Sequence, residues 1–224
     1  MTEYKAIKGK TILNVASDLA NFEGEGEIWF NTTSSDFKTI VKVAGAWATG
    51  GALNTARSDM GGGGTQAATF VVGGYTTANV AITEEYNGIS WAESGDLGAA
   101  ARQLGGCGTQ TAGLCFGGKT TAQINTTDEY DGSTWTEGGN LVLARDKMGS
   151  AGTQTAGLCF GGNVDPSTEK DESEEYDGSS WTEGSDLNTG RKSPGGTGTQ
   201  TAAICVGGTQ PGDSDYVVAK QQHK

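Results

Sequence analysis

Short apolar segments separated by turn residues make up most of the chain. In residues 111–116, TAGLCF, an apolar run ends at a pair of glycines, and DEYDGSTW at 128–135 places Asp131-Gly132 between two strand-like ends. An Asp-Gly pair in this setting is typical of tight β-hairpins. Apolar residues spaced three or four apart, as in a helix, are hard to find outside residues 1–20. The pattern therefore predicts an all-β fold.

The same stretch of sequence returns at a regular distance along the chain. Residues 108–118 and 152–162 both read GTQTAGLCFGG, 44 positions apart. Thr-Gln pairs begin at positions 65, 109, 153 and 199, which gives steps of 44, 44 and 46 residues. A repeat of about 45 residues has the length of one β-propeller blade, a sheet of four short strands.

Tryptophan, tyrosine and arginine recur with this period. We expect the aromatic side chains to pack between blades and the arginines to bond to backbone carbonyls or carboxylates. The alternative is that the tryptophans stack on sugars, but their strict repetition favours packing between blades. The recurring positions are Trp47, Trp91, Trp135 and Trp181; Tyr86, Tyr130 and Tyr176; and Arg57, Arg102, Arg145 and Arg191.

The order of these markers predicts how the blades close into a ring. The repeat contains four tryptophans and four Gly-Gly pairs, at 73/74, 117/118, 161/162 and 207/208, but Trp47 precedes the first of these pairs and no tryptophan follows the last. We therefore predict four blades, the fourth formed by residues from Arg191 to Tyr216 together with the strand around Trp47. Pairing N- and C-terminal strands in this way closes the ring and removes open sheet edges. An open array completed by a second copy would show the same period.

The order of arginine, apolar run, double glycine, loop, tyrosine and tryptophan over residues 47–216 resembles the kelch repeat. The tyrosine and tryptophan are closer together than is usual in kelch repeats. The resemblance implies a kelch-type β-propeller. The amino-acid sequence of the repeats also resembles glycine-rich kelch-like repeats of bacteriophage tail and other virion proteins, and GEIWFNTTSSDFK at 26–38 resembles the short module that precedes such repeats. That likeness implies a virion component assembled in the host cytoplasm.

Composition and charge narrow the range of partners. Glycine supplies 38 of the 224 residues, and 27 acidic against 15 basic residues give a net charge of −12. No cluster of lysine and arginine could neutralise phosphates, so we expect no nucleic-acid partner. No apolar stretch is long enough to span a membrane, and the N-terminus lacks the apolar core of a signal peptide. We expect a soluble protein that is not exported by the secretory route.

One stretch matches a nucleotide-binding pattern. Residues 113–120, GLCFGGKT, fit Gly-x4-Gly-Lys-Thr, which binds phosphates when a helix follows the glycine-rich turn. Here the match falls in a repeated strand and its turn, and the third unit has Asn163 where this one has Lys119. We interpret Lys119 as a feature of one repeat, and we predict no cofactor.

The supply of nucleophiles and bases argues against an enzyme. Cys115, Cys159 and Cys205 share one repeat position, held by Val71 in the first unit, so we expect inert buried thiols rather than disulfides or a zinc site. The only histidine is His223, whereas acid–base chemistry at neutral pH most often uses histidine. A pair of carboxylates is the alternative source of acid–base catalysis.

The loops that follow the Gly-Gly pairs differ between units and are polar. Changing loops on a constant scaffold are where binding sites usually lie, and hydroxyls and amides suit a host-surface glycan or protein. The acidic run at 165–178 allows calcium binding but does not fit the usual calcium loop. The candidate rim residues are Tyr75, Thr76, Thr77, Lys119, Thr120, Thr121, Asn163, Asp165, Glu169 and Asp171.

Residues 1–36 stand outside the period and form the predicted attachment segment. EIWFNTT has the alternation of a strand, and Trp29-Phe30 would anchor the segment on other virion proteins or on the propeller. We expect the propeller at 37–218 and a flexible tail at 219–224.

The function expected from the sequence is non-enzymatic: a structural and receptor- or glycan-binding propeller of a phage tail or tail fibre. An intracellular kelch-like adaptor and, less favoured, a carbohydrate-active enzyme are the alternatives. The sequence is also compatible with assembly into a homo-oligomer.

Overall fold

The structure, a computed structural model, describes residues 13–15, 28–39, 48–165, 168–212 and 220–223. The chain divides into two compact units, Met1–Thr49 and Gly50–Lys224. Every regular element in the described residues is a β-strand, and none is a helix. The all-β prediction is confirmed for these residues.

The first unit contains a three-stranded sheet. Strand β1, Leu13–Val15, pairs in parallel with β2, Ile28–Asn31, and β2 pairs antiparallel with β3, Asp36–Thr39. The Asn31 carboxamide oxygen accepts hydrogen bonds from the amides of Thr33, at 2.9 Å, and Ser34, at 3.1 Å, which shapes the turn into β3. The predicted strand at EIWFNTT is thus present, but the expected boundary after residue 36 falls inside β3.

The second unit repeats one antiparallel meander three times. The first sheet contains β4 Gly61–Thr65, β5 Ala68–Val72, β6 Thr83–Tyr86 and β7 Trp91–Glu93. The second contains β8 Gly105–Thr109, β9 Ala112–Phe116, β10 Thr127–Tyr130 and β11 Trp135–Glu137. The third contains β12 Gly149–Thr153 and β13 Ala156–Phe160; a hairpin of β14 Asn163–Asp165 and β15 Thr168–Glu169 precedes β16 Ser173–Tyr176 and β17 Trp181–Glu183.

A fourth sheet has three strands within the described residues: β18 Gly195–Thr199, β19 Ala202–Val206 and β20 Lys220–Gln222. The expected flexible tail therefore contains a strand. Lys220 lies opposite Val206, as Ser173 lies opposite Phe160 in the third sheet. The sequence KQQH at 220–223 thus occupies the register that TEEY, TDEY and SEEY occupy in the other sheets.

Glycine turns join the strands as the sequence predicted. Gly117 and Gly118 end β9 with φ values of 60° and 97°, in the left-handed region that favours glycine. In the hairpin between β10 and β11, an Asp131 carboxylate oxygen accepts the amides of Ser133 and Thr134, each at 2.8 Å, and Gly132 has φ of 94°. The predicted hairpin at Asp131-Gly132 is confirmed, and Asn87-Gly88 and Asp177-Gly178 join strands in the same way.

The first strands of consecutive sheets lie side by side, and their backbones make the closest approach between sheets. Strand β8 lies between β4 and β12, and β12 lies next to β18. The backbones are close: a Cβ atom on Gly106 would lie 2.5 Å from the amide nitrogen of Gly62, and the Ser150 hydroxyl donates to the Gly106 carbonyl at 2.8 Å. These four-stranded sheets, arranged one after another about their first strands, give a β-propeller-like architecture.

Strand β18 is exposed along all five residues, so its outward face is uncovered among the described residues. Trp47 and Tyr216, which were expected to help complete the last blade, lie outside the described residues.

The core lies in seams between consecutive sheets. One cluster joins Phe70 and Val72 of the first sheet to Cys115 of the second; another joins Leu114 and Phe116 to Cys159 and Trp181 of the third. A third cluster joins Leu158 and Phe160 to Ala203 and Cys205. Each sheet thus buries its apolar side chains against its neighbours, as expected for a repeat protein.

Tyrosine hydroxyls cross the seams to glutamates. Tyr130 donates to Glu85 Oε1 of the first sheet, and Tyr176 donates to Glu129 Oε1 of the second, both at 2.6 Å. Burial, together with these hydrogen bonds, raises the pKa of Tyr130 and of Tyr176 to about 12. The hydroxyls therefore remain protonated donors over the whole physiological range.

Tryptophans also cross the seams. The indole N–H of Trp135 donates to the Thr83 hydroxyl, and that of Trp181 to the Thr127 hydroxyl, both at 2.9 Å. In the first sheet, Trp91 donates to the Gly51 carbonyl at 3.0 Å. The expectation that the repeated aromatic residues pack between sheets is confirmed for Trp135 and Trp181, whose ring partners include Phe70 and Phe116.

Buried arginines fix the segments that lead into β4 and β12. Arg145 Nη2 lies 2.5 Å from Glu174 Oε1, and both side chains are buried. Glu174 also accepts the amides of Val142, at 2.6 Å, and Leu143, at 3.2 Å. Arg57 and Glu84 form the same pair in the first sheet. Burial raises the pKa of Glu84, but the hydrogen bonds from Arg57 and two backbone amides outweigh it and hold the pKa below its usual value.

The second sheet differs from the sequence expectation. The backbone of Arg102 pairs with that of Lys119, as the backbone of Ser58 pairs with that of Tyr75. Because Ser58 directly follows Arg57, Arg102 lies one position after the arginine site, and Ala101 occupies that site. The Arg102 guanidinium instead lies 4.5 Å from the centre of the Tyr75 ring. Where Glu84 and Glu174 accept an arginine, this sheet has Asp128, whose pKa is raised by burial and then by Glu137.

This difference yields a prediction for two arginines that the sequence treats alike. Arg145→Ala leaves the buried Glu174 carboxylate without its cation and should reduce the free energy of unfolding by about 3–5 kcal/mol. Arg102→Ala loses a cation–π contact and should cost about 0.5–1 kcal/mol. Urea unfolding of both variants measures the difference, and equal losses would contradict the assignment.

Candidate functional site

The rim, defined as residues 73–82, 117–126, 161–165, 168–172 and 207–212, lies along one edge of the sheets. Successive antiparallel strands are joined at alternate edges, so the loops after the Gly-Gly pairs share one edge and the Asn-Gly and Asp-Gly hairpins share the other. All ten predicted rim residues fall within these bounds. The rim is the candidate site because it combines exposed polar side chains with a fixed backbone.

Two loops of the rim repeat one tight turn. In the first loop the Thr76 amide donates to the Ala78 carbonyl at 3.0 Å, and in the second the Thr120 amide donates to the Ala122 carbonyl at 3.0 Å. Thr76, Thr77 and Thr121 are exposed at the tips, and Thr120 is half-buried. Threonine hydroxyls are thus presented to solvent in two neighbouring copies.

Asn79 joins these two loops. Its carboxamide nitrogen donates to the carbonyls of Lys119 and Thr120, both at 3.1 Å. Arg102 covers the ring of Tyr75 on the same edge. The first and second loops are therefore held together by side chains rather than standing as separate flexible segments.

Asp146 organises the middle of the rim. Its carboxylate accepts the Asn163 carboxamide nitrogen at 2.9 Å and that of Gln123 at 3.3 Å. Burial raises the pKa of Asp146, while Lys147 and Lys119 act in the opposite direction. Asn163 is only 3% exposed, so it supports the rim and is not placed to contact a ligand.

Two glutamates of the acidic run at 165–178 pair with nearby lysines. Glu169 Oε1 lies 2.5 Å from Lys192 Nζ, and Glu172 Oε1 lies 2.8 Å from Lys170 Nζ. The hydrogen bond from Lys192 lowers the pKa of Glu169. Asp171 is exposed and Asp165 is half-buried. Among the residues that the structure describes, no group of three or more His, Cys, Asp or Glu side chains is placed to hold a metal ion.

Lys119 lies in this rim and not in a phosphate loop. Residues 119–126, which follow Gly117-Gly118, contain no helix, so no helix N-terminus faces the glycines. The Lys119 amide and carbonyl bond to the carbonyl and amide of Arg102, at 2.8 and 3.0 Å. The geometry supports the interpretation of Lys119 as one member of a variable loop.

The cysteines are free and buried, as the sequence predicted. Burial is the main cause that raises the pKa of Cys107 and of Cys159 to about 12. Thiols so far from ionisation are poor nucleophiles at neutral pH.

Sequence reasoning missed the residues that link the loops, which are Asn79, Gln123, Asp146 and Lys192. A signal was present, because Asn79 and Gln123 follow the same Thr-Thr-Ala triplet in successive units. Their amide side chains both reach across to the next unit.

Comparison with known proteins adds no family. No family model matches the chain, and no curated protein matches it. No helix in the described residues is long and apolar enough to cross a membrane.

The loop contacts of Asn79 give a testable consequence. Asn79→Ala removes two hydrogen bonds and should reduce the free energy of unfolding by about 0.5–1.5 kcal/mol. Thr77→Ala, at an exposed tip, should change it by less than about 0.5 kcal/mol. Backbone NMR shifts should move at Lys119 and Thr120 only in the Asn79 variant. If those shifts stay in place, Asn79 does not join the loops.

Proposed function

We propose that this protein is a non-enzymatic component of a bacteriophage particle, associated with the tail or its fibres, which binds a host-surface glycan or protein through the rim. The observation that carries the proposal is the fixed presentation of exposed threonines on loops tied together by Asn79 and Asp146. A site formed before binding loses less conformational entropy when a ligand docks. The virion assignment is supported by the resemblance of the repeat sequence to kelch-like repeats of phage virion proteins. We propose that the particle is assembled in the host cytoplasm.

A binding role also suits the side chains available. The rim offers hydroxyls and carboxamides, which hydrogen-bond to sugars or to peptide groups without reacting with them. The single histidine, His223, has its Nε2 atom 3.5 Å from Glu175 and belongs to the seam beside the last sheet. We propose no cofactor and no catalytic residue.

We further propose a four-bladed ring, in which the strand around Trp47 completes the last sheet. Residues 47–57, WATGGALNTAR, correspond to WTEGGNLVLAR at 135–145. The amides of Asn54 and Thr55 bond to Glu84 as those of Val142 and Leu143 bond to Glu174. Residues from Gly50 onward thus approach the first sheet as the end of a preceding blade would. Residues 1–36, with Trp29-Phe30, are proposed to attach the protein to other virion proteins.

Binding and location are tested together. The purified protein should bind members of an array of bacterial surface glycans without releasing sugar. Thr121→Lys, at an exposed rim tip, should weaken binding by about tenfold, which corresponds to ~1.4 kcal/mol. Thr111→Lys changes an exposed threonine on the opposite edge and should leave binding unaltered.

The chain should also be found by mass spectrometry in purified particles of the phage that encodes it. Equal effects of the two threonine variants, or sugar release, would contradict the proposed binding role. Absence from purified particles would contradict the virion assignment alone.

A further inference from the structure

A cavity of about 250 Å³ lies in the seam between the third sheet and the last. Its apolar wall contains Leu158, Phe160 and Leu187, and its polar groups include Ser173 and His223. Ala203 and Cys205 form the side that belongs to the last sheet. At the two other seams, a side chain fills the position that corresponds to this cavity.

At those seams an indole occupies the corresponding position. Trp181 of the third sheet lies across the second, where its ring centroid is 4.7 Å from that of Phe116 and its N–H donates to Thr127 at 2.9 Å. Tyr176 lies beside it, with ring centroids 5.0 Å apart. One seam earlier the Trp135 N–H donates to Thr83 in the same way, and its ring contacts Phe70, two residues before Val72, which lies opposite Thr83.

The cavity wall reproduces these indole contacts by strand register. Ser173 lies opposite Phe160, as Thr127 lies opposite Phe116, so a hydroxyl again stands where the indole N–H is received. His223 follows β20 and its amide donates to Ala203, which gives it the register of a seam tyrosine.

The hydroxyl of Ser173 is oriented to accept. It donates its own proton to the Ser185 carbonyl at 2.8 Å, which leaves oxygen lone pairs for a second partner. Ser173 is 2% exposed. A ligand that brings an N–H to this point therefore satisfies a buried acceptor while it covers apolar surface.

We infer that this cavity is an indole-binding site. The bound ring lies against Phe160 and Leu187, its N–H donates to the Ser173 hydroxyl, and the imidazole of His223 takes the place of the seam tyrosine. The ligand class is a neutral indole, which an external molecule or a tryptophan side chain can supply. The inference does not depend on the proposed ring, because every lining residue that it uses lies among those that the structure describes.

The probe for this site is 5-fluoroindole, observed by 19F NMR so that the tryptophans of the protein do not interfere. Binding is measured with the full chain and with its Trp47→Ala variant, and far-UV circular dichroism verifies that each variant is folded. If the chain's own Trp47 fills the cavity, as the proposed ring requires, only the variant should broaden and shift the probe signal. Binding by the unaltered chain would support the indole site and contradict the ring.

Two matched comparisons identify the contact. Ser173→Ala, introduced into whichever chain binds, should weaken binding by about 5–10-fold through loss of one hydrogen bond. Ser179→Ala, at an exposed serine of the neighbouring hairpin, should not. The probe 1-methyl-5-fluoroindole, which lacks the N–H, should lose affinity by a similar factor. Absence of binding in both chains, or binding indifferent to Ser173 and to the N-methyl group, overturns the inference.

Discussion

The structure depends on polar side chains of one sheet that find their partners on the next. The indole N–H of Trp181 and the hydroxyl of Tyr176 belong to the third sheet, yet their acceptors, Thr127 and Glu129, belong to the second. A buried donor without an acceptor costs about 1–3 kcal/mol, so separating two sheets would expose several such losses at once. The apolar clusters follow the same division, because each contains residues from consecutive sheets. A single meander of this kind is therefore not a stable unit by itself.

The seams also explain why the rim can vary. Strand ends are fixed by the ion pairs of Arg57 and Arg145 and by the glycine turns, whereas the exposed tips of the loops between Gly-Gly and the tyrosine strand lie outside the seams. The third unit accommodates the extra hairpin β14–β15 at this point while its sheet keeps the same strand order. Polar side chains such as Asn79 and Asp146 then hold the loops to one another.

The period, the tight hairpins and the buried cysteines could be predicted because each has a strong local signal. The glycine-rich first strands could not, since GGGGT and GGTGT have little intrinsic preference for strand and form one through contacts with neighbouring sheets. The assignment of Arg102 failed by one position: Arg57 and Arg102 are 45 residues apart, while the Gly-Gly pairs step by 44. Strand β20 was missed because KQQH shares no residue with TEEY, and only its register beside β19 shows the equivalence. The rim was predicted as a region, but the burial of Asn163 depends on Asp146 and is a tertiary effect.

Hydrogen exchange in a Thr127→Val variant tests most directly whether the seams unite the sheets. Valine keeps the shape of the fully buried Thr127 but removes the acceptor of the Trp181 N–H. If the seams unite the sheets, amides of β10 in the second sheet and of β17 in the third should lose protection together, by about 1–3 kcal/mol. Loss of protection confined to the second sheet would show instead that the sheets are stable independently of each other.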